Sequence, residues 1–248
     1  MVQFSALIRD DHGHELTPDA RAYLDHVCRG SLRLRTMLDD VLNFVRLEPS
    51  QRPVLAPLPL DDVIKGVLGS LGAALRERGA RVDVSPMPHV LGQETLLRLL
   101  FQNLISNAIE FVPAERAPQV VVSATENAAG AVVVSVVDNG IGIGIGPAHL
   151  AQLFQPFKRL HARRKYEGTG LGLAICKRIA AAHDGAIEIE STEGHGSRVL
   201  VTLPAVPRIG GRGRRRIRAA RAESHAVKPQ TGCACGCSTS KTTPTFAS

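Results

Sequence analysis

The chain has 248 residues, a formal net charge of +7 and a hydrophobic fraction of 44%. A chain of this length can bury one sizeable core, and the absence of Trp indicates that this core is aliphatic. The positive charge belongs to residues 205–248, which hold seven Arg and two Lys against one Glu. The rest of the chain is close to neutral and lacks the basic surface typical of a nucleic-acid-binding protein. The tail, rich in Arg, Gly, Ser and Thr, predicts disorder.

The cysteines and the hydropathy pattern exclude two further classes of protein. Cys28 and Cys176 stand alone in helical patterns, and the other three lie in the tail sequence "CACGC", so no disulfide framework is predicted. The "CACGC" thiols suit a soft metal, but their spacing is not that of a zinc knuckle. No apolar run reaches the ~18 residues of a membrane span, and no signal-peptide pattern is recognisable. We expect a cytoplasmic protein with no transmembrane segment.

The first predicted element is a long helix over residues 17–47. Thr17 is a suitable N-cap, and Pro18 suits the first helical position. Apolar and small residues then recur at alternating spacings of four and three, which is a heptad seam on a helix of about 28 residues, roughly 42 Å long. Such a stripe needs cover from a missing helix, a second chain or the rest of this chain. The seam residues are Ala20, Leu24, Val27, Ser31, Leu34, Leu38, Val41 and Val45.

The remaining pattern predicts helices grouped against a mostly antiparallel sheet. A proline-rich linker leads into a short strand, and a helix closed by Gly185 precedes a final hairpin. The predicted fold class is therefore a two-layer α/β (α+β) sandwich with a mixed, mostly antiparallel sheet, preceded by the long helix. The other predicted elements are one amphipathic helix over 60–80, a strand at 81–86, a helix over 93–111, and a hairpin formed by 119–126 and 131–138.

Two asparagines in the helical stretch "QNLISNAIEF" form the first candidate binding feature. Asn103 and Asn107 are four residues apart and therefore share one face of the helix. Their amide oxygens suit a hard cation such as magnesium, which also keeps water and phosphate ligands. Taken alone, two helical asparagines more often face solvent or cap a helix, so this feature needs the support of others.

The second feature is "DNGIGIGIGPAHL", in which a strand delivers Asp138 to a glycine turn. An ionised carboxylate only accepts hydrogen bonds and can therefore receive an exocyclic amine such as adenine N6. Gly140 and Gly142 permit positive φ and close backbone approach. A dinucleotide-binding fingerprint is rejected, because the preceding elements form a hairpin instead of a βαβ unit.

The third feature is "EGTGLGLAICKRI", where three alternating glycines lead into a helix. A helix N-terminus with free backbone N–H groups favours phosphate, although a plain helix-capping loop would have a similar sequence. The glycines are Gly168, Gly170 and Gly172.

In this order and spacing the three features, with "FQPFKRLH" at 154–161, resemble the N, G1, G2 and F boxes of sensor histidine kinases. The resemblance covers about residues 17–204 and is closest to the phytochrome-like subgroup, through "LDDVLNFVRL" and "GHGSRVLVTLP". It implies a Bergerat-type ATP-binding sandwich at 48–204. Residues 1–47 would then be the remnant of a helical-hairpin dimerisation domain, and 205–248 an appended basic tail.

The resemblance also implies roles for individual residues. Asp138, with Gly140 and Gly142, would hold the adenine of ATP, and Asn103 and Asn107 would hold Mg²⁺ and the phosphates. The lid groups Lys158 and Arg159 would neutralise phosphate charge during phosphoryl transfer. The triphosphate would be cradled by Gly168, Thr169, Gly170, Leu171 and Gly172.

Three departures from the family pattern qualify the predicted activity. No box of the Ser-His-Asp/Glu-Leu type is present, so the phosphoacceptor histidine is missing and we expect no autophosphorylation of this chain alone. Glu110 stands where the N box usually ends in Lys; a carboxylate near the triphosphate would repel it, whereas one turned to solvent would cost little. The turn after Asp138 carries an extra Gly-Ile pair, which we expect to leave binding intact and to impair lid closure.

The predicted function is the ATP-binding catalytic module of a two-component histidine kinase. Asn103 stands where ATP-hydrolysing relatives of this fold carry Glu, so transfer of the γ-phosphoryl group to a histidine is favoured over hydrolysis. The expected partners are a second copy or a histidine-bearing kinase bound through the 17–47 helix, and a response regulator. One alternative is a degenerate module that binds nucleotide or a partner helix without catalysis. A weaker alternative is a nucleic-acid-associated protein acting through its tail.

Overall fold

The computed structural model describes residues 7–8, 11–12, 14–47, 53–144, 151–158 and 169–207. The chain divides into two compact units, Met1–Val206 and Pro207–Ser248, and nearly all the described residues belong to the first. The three-part division at residues 47 and 204 stays a prediction. No helix within the described ranges is both long and apolar enough to cross a membrane.

Helix α1 extends over Pro18–Arg46 and has 29 residues. Thr17 Oγ1 accepts a hydrogen bond of 3.2 Å from the N–H of Ala20, and Pro18 occupies the first turn. This cap satisfies a backbone donor that the helix itself leaves without a partner. The start predicted from Thr17 and Pro18 is confirmed.

The other elements alternate between short strands and helices. They are β1 (Ala56–Pro59), α2 (Leu60–Ser70), α3 (Gly72–Glu77), β2 (Arg81–Val84), β3 (His89–Gly92), α4 (Glu94–Glu110), β4 (Gln119–Glu126), β5 (Val132–Asp138), a 3₁₀ turn (Ala151–Phe154), α5 (Gly172–Ala182), β6 (Ala186–Thr192) and β7 (Gly196–Leu203).

The strands form a five-stranded sheet of order β2-β4-β5-β7-β6 and a two-stranded sheet of β1 and β3. Only the β2–β4 pair is parallel among these pairings; the others are antiparallel. Along β4 the side chains alternate, since Val120 and Val122 are buried while Val121 is 44% exposed. The buried face packs on α2, α4 and α5 in one core, which confirms the predicted two-layer sandwich.

Helix α4 contributes more buried residues to that core than any other described helix. Leu97, Leu100, Phe101, Leu104 and Ile105 are at most 2% exposed. Their spacing of three, one, three and one places them on one stripe of a 3.6-residue helix. The stripe fixes the rotation of α4 and thereby determines which of its polar residues face away from the core.

Three details of the predicted elements were wrong. The stretch 60–80 forms α2 and α3 with a break at Leu71, where Gly69 and Gly72 weaken a continuous helix. Strand β3 was not predicted. After α5 the left-handed residue is Asp184 (φ +52°) instead of Gly185, which is required for another reason: a Cβ there would lie 2.0 Å from the carbonyl oxygen of Thr202.

Among the described residues, helix α1 packs against the core at its C-terminal end, and Cys28 in its N-terminal half is also buried. Val41, Phe44 and Leu47 are partly buried against the core, next to α5. The seam residues Leu34 and Leu38 are 69% and 59% exposed. The chain therefore covers part of the helix, while four of the eight seam residues keep their apolar side chains at the surface: Val27, Leu34, Leu38 and Val45.

Candidate nucleotide-binding site

One cavity of about 410 Å³ lies between α4, the end of β5 and the start of α5. This volume is in the range of small-molecule sites. Eight of the residues predicted from separate sequence segments line it: Asn103, Asn107, Asp138, Gly142, Lys158, Thr169, Gly170 and Gly172. Arg159 and Gly168 lie outside the described residues.

Asp138 is the last residue of β5 and presents a half-buried carboxylate. Its Oδ1 accepts hydrogen bonds from the backbone N–H of Gly140 at 2.8 Å and of Ser197 at 3.1 Å. Burial raises the pKa of this carboxyl group, while the two N–H donors act in the opposite direction. Both bonds from the described residues end on Oδ1, so Oδ2 keeps its capacity to accept a hydrogen from a ligand amino group.

The glycines after Asp138 are required by close contact with protein backbone. A Cβ on Gly140 would lie 2.6 Å from the carbonyl oxygen of Phe111, and one on Gly142 would lie 1.9 Å from that of Thr192. Gly142 also has a φ of +63°. Gly142 lines the cavity whereas Gly140 is buried behind it. These contacts hold the turn between the end of α4 and the β6–β7 hairpin.

The two asparagines lie one turn apart on α4, as predicted, and both face the cavity. Asn103 Nδ2 donates a hydrogen bond of 2.9 Å to the carbonyl oxygen of Leu99. Its Oδ1 is thereby turned toward the start of α5, where a Cβ on Gly172 would lie only 2.9 Å away. The oriented amide therefore presents its acceptor oxygen where α5 begins.

The N-terminus of α5 opens beside this amide. Gly170 has a φ of +77°, and no side chain in the described part of the chain caps the first turn of the helix, which starts at Gly172. Such a terminus offers backbone N–H groups and the positive end of the helix dipole to an anion. Leu171 differs from its neighbours, because its side chain is fully buried in the core while its N–H donates to Thr169 Oγ1 at 3.2 Å. Its side chain is therefore not part of the cavity wall.

Sequence reasoning missed two residues of α1, Thr36 and Asp40, which also line the cavity. Asp40 accepts a hydrogen bond of 2.5 Å from the hydroxyl of Thr169. The heptad pattern could not predict this contact, because it concerns only the apolar face of α1 and carries no information on the partners of its polar side chains. Glu110 also lines the cavity, at the end of α4, where the family pattern has Lys.

Comparison with known proteins agrees with this geometry. Residues 92–207 match the family described as histidine kinase-, DNA gyrase B-, and HSP90-like ATPase. Cyanobacterial phytochrome A of Nostoc sp. is 36% identical over 216 residues, which are 87% of this chain and 27% of that protein. The sensor-like histidine kinase SenX3 of Mycobacterium tuberculosis is 32% identical over 191 residues, covering 75% of this chain and 45% of that protein.

A solved structure extends the comparison to three dimensions. The crystal structure of full-length ShkA in complex with AMPPNP has a TM-score of 0.63 to this chain at 28% identity. The match covers 82% of this chain and 42% of that one.

Fold and site together define residues 92–207 as a domain of the histidine kinase-, DNA gyrase B-, and HSP90-like ATPase family, with the Bergerat-type sandwich. More particularly, the chain carries the ATP-binding catalytic module of a sensor histidine kinase, which confirms the predicted resemblance. The chain spans 27% of the length of the Nostoc relative, so that protein's other segments have no counterpart in the match.

Proposed function

We propose that this module binds Mg-ATP in the cavity and transfers the γ-phosphoryl group to a histidine on a kinase partner. The observation that carries the proposal is the convergence of Asp138, the two α4 asparagines and the α5 N-terminus on one cavity. These groups come from three separate segments of the chain, and each suits a different part of the nucleotide. The bound AMPPNP of ShkA, a protein with the same fold, supports a nucleotide ligand.

The adenine end would be Asp138. Its Oδ2 would accept a hydrogen from the exocyclic amine, while the bonds from Gly140 and Ser197 hold the carboxylate in place. The apolar side chains of Val136, Ile141, Leu173 and Ile189 line the same cavity and would cover the flat base.

The phosphate end would be Asn103, Asn107, Thr169, Gly170 and Gly172, with Lys158 near it. Amide oxygens together with phosphate oxygens and water form the kind of ligand set that Mg²⁺ accepts, so the residues present fit this ion. When bound, Mg²⁺ supplies positive charge that offsets the charge of the phosphates. The N–H groups of α5 would orient the phosphates, and the Lys158 ammonium would stabilise charge on the transferred group.

The acceptor would be a histidine on another helix. The exposed seam on α1 supports a helical partner, because Val27, Leu34, Leu38 and Val45 are each more than half exposed. Two helices that bury such a seam against each other remove its apolar surface from water. The partner would be a second copy of the complete kinase or a separate histidine-bearing kinase, with a response regulator receiving the phosphoryl group afterwards.

A second candidate is a module that binds nucleotide without transferring phosphate. It is favoured by Glu110, which lines the cavity and adds negative charge at the wall where the family pattern has Lys. The two candidates share the binding site and differ in the transfer step.

The test of the binding site is equilibrium titration of the 248-residue chain with a fluorescent ATP analogue and magnesium. Asp138→Asn is expected to weaken binding about tenfold or more, because an amide that keeps its acceptor oxygen still loses the charge that favours the adenine amine. The control is Asp83→Asn, a 57% exposed carboxylate on β2 outside the cavity. Equal affinity in wild type and Asp138→Asn would reject the adenine assignment.

The test of transfer uses labelled ATP and an added kinase fragment that carries a histidine box. Labelling of that fragment supports the kinase, whereas binding of nucleotide without labelling supports the second candidate.

A further inference from the structure

The long helix α1 reaches the phosphate end of the cavity, although it belongs to a different part of the sequence from every other lining segment. Thr36 and Asp40 are four residues apart on α1, so they share the face that lines the cavity. They line the cavity together with Asn103, Thr169 and Gly170, and Asp40 contacts Thr169 directly. A nucleotide with its phosphates at this end would meet the Asp40 carboxylate.

Asp40 accepts the hydrogen of the Thr169 hydroxyl group in the glycine-rich turn. Its Oδ2 accepts the Thr169 hydroxyl hydrogen at 2.5 Å, and Thr169 Oγ1 in turn accepts the N–H of Leu171. A threonine hydroxyl has one hydrogen to donate, so while Asp40 holds it, Thr169 cannot donate to a phosphate oxygen. Asp40 is half-buried, and burial raises the pKa of its carboxyl group.

A second contact, from the middle of α5, holds the C-terminal end of α1. Arg178 Nη1 donates to the carbonyl oxygens of Phe44 and Leu47, at 2.6 and 3.3 Å. The guanidinium group also lies 3.5 Å from the centre of the Phe44 ring. A cation at these last carbonyls complements the negative end of the α1 dipole and satisfies acceptors that the helix leaves without partners.

From these contacts we infer that Asp40 closes the phosphate end of the cavity when α1 is docked, so that docking of α1 and binding of a nucleotide triphosphate oppose each other. The inference rests on the proposed nucleotide-binding function. Two effects act together: the carboxylate repels the phosphates, and it withholds the Thr169 hydroxyl from them. Adenosine lacks phosphates, so it binds without this opposition.

Coupling between two binding events is reciprocal. If docked α1 weakens triphosphate binding by a given factor, the bound triphosphate weakens docking of α1 by the same factor. Mg-ATP would therefore shift α1 toward release from α5 by that factor, and the α1 surface that covers the site would become more available to a partner helix.

The first experiment measures affinity for Mg-ATP and for adenosine in the 248-residue chain. Asp40→Asn keeps the size of the side chain and removes its charge, and it is expected to tighten Mg-ATP binding about fivefold to tenfold. Adenosine affinity is expected to stay within about twofold. The matched control is Asp39→Asn, the neighbouring exposed carboxylate outside the cavity lining, which should change neither affinity. Arg178→Gln loosens α1 from a position outside the cavity lining, and it should also tighten Mg-ATP binding.

The second experiment follows α1 directly by hydrogen exchange over residues 36–47. Mg-ATP is expected to speed exchange in this segment of the wild type, whereas adenosine should leave it unchanged. In Arg178→Gln, exchange should already be fast without nucleotide.

The outcomes distinguish a failure of the proposed nucleotide binding from a failure of the inference about Asp40. If the wild type binds neither adenosine nor Mg-ATP, the proposed function fails and the inference fails with it. If the wild type binds both and Asp40→Asn leaves Mg-ATP affinity unchanged, the inference alone fails. Weaker Mg-ATP binding in Asp40→Asn would also overturn it, because Asp40 would then assist the ligand. Unchanged exchange over 36–47 on addition of Mg-ATP would overturn the release of α1.

Discussion

Gly142 is the position where the turn beside Asp138 is most constrained, and Gly142→Ala is therefore expected to destabilise the fold. Alanine in the left-handed region costs about 1 kcal/mol, and Gly142 has a φ of +63°. The new Cβ would also lie 1.9 Å from the carbonyl oxygen of Thr192, a backbone atom that cannot move away as a side chain would. Overpacking of this kind adds about 1–3 kcal/mol. We expect a total loss of about 2–4 kcal/mol in the free energy of unfolding, measured by urea denaturation.

Substitutions at two other glycines separate the cost of the left-handed backbone from the cost of the steric contact. Gly130 has a φ of +77° with nothing within 4 Å of an added Cβ, so Gly130→Ala measures the backbone cost alone, about 1 kcal/mol. At Gly144 the added Cβ would meet the end of the flexible Glu193 side chain, so Gly144→Ala should cost less than Gly142→Ala. If Gly142→Ala loses no more stability than Gly130→Ala, the close approach of the turn to the β6–β7 hairpin is refuted.

The remaining predictions concern the core. His183 is fully buried, its Nε2 accepts the N–H of Gln93 at 3.0 Å, and burial lowers the pKa of its imidazole below the ordinary 6.5. The imidazole of the unfolded chain then binds a proton more readily than that of the folded chain, so the contribution of His183 to stability is complete above about pH 6.5 and falls as the pH drops toward the folded-state pKa. Urea midpoints at two pH values should show this loss. His195→Gln, at an exposed site, is the control and should leave the loss unchanged. Phe101→Ala should lower the free energy of unfolding by about 3–5 kcal/mol, since the ring is fully buried in α4, and a loss below 1 kcal/mol would contradict the central place of that helix.

Much of the fold followed from local patterns. The start of α1 was predictable from Thr17 and Pro18. The helix at 93–111 and the hairpin at 119–138 were predictable because helices repeat every 3.6 residues and strands every two. Strand β3 was missed because its four residues offer too few positions for a period to emerge; its equally short partner β1 was predicted from the proline-rich linker before it. The break at Leu71 was missed because its flanking glycines also occur within helices.

The sequence predicted which residues form the candidate site, but it did not always predict which contacts require them. Asn103, Asn107 and Asp138 were selected by residue type and spacing, and the structure brings them to one cavity. Gly140 and Gly142 were predicted for approach to a ligand, whereas their nearest neighbours are the carbonyl oxygens of Phe111 and Thr192. A glycine in the sequence indicates that there is little room for a side chain, but it does not identify the neighbouring group that occupies the space.

By itself the sequence determined the class of the fold, the binding segments and the apolar seam of the long helix, because each depends on residues close together along the chain. Only the tertiary structure decided where that helix lies. The contacts of Asp40 with Thr169 and of Arg178 with Phe44 join residues more than 120 positions apart. They arise from the packing of α1 on α5, and no repeat or local spacing in the sequence predicts contacts between residues so far apart. The polar face of α1 thus became part of the nucleotide cavity through packing alone.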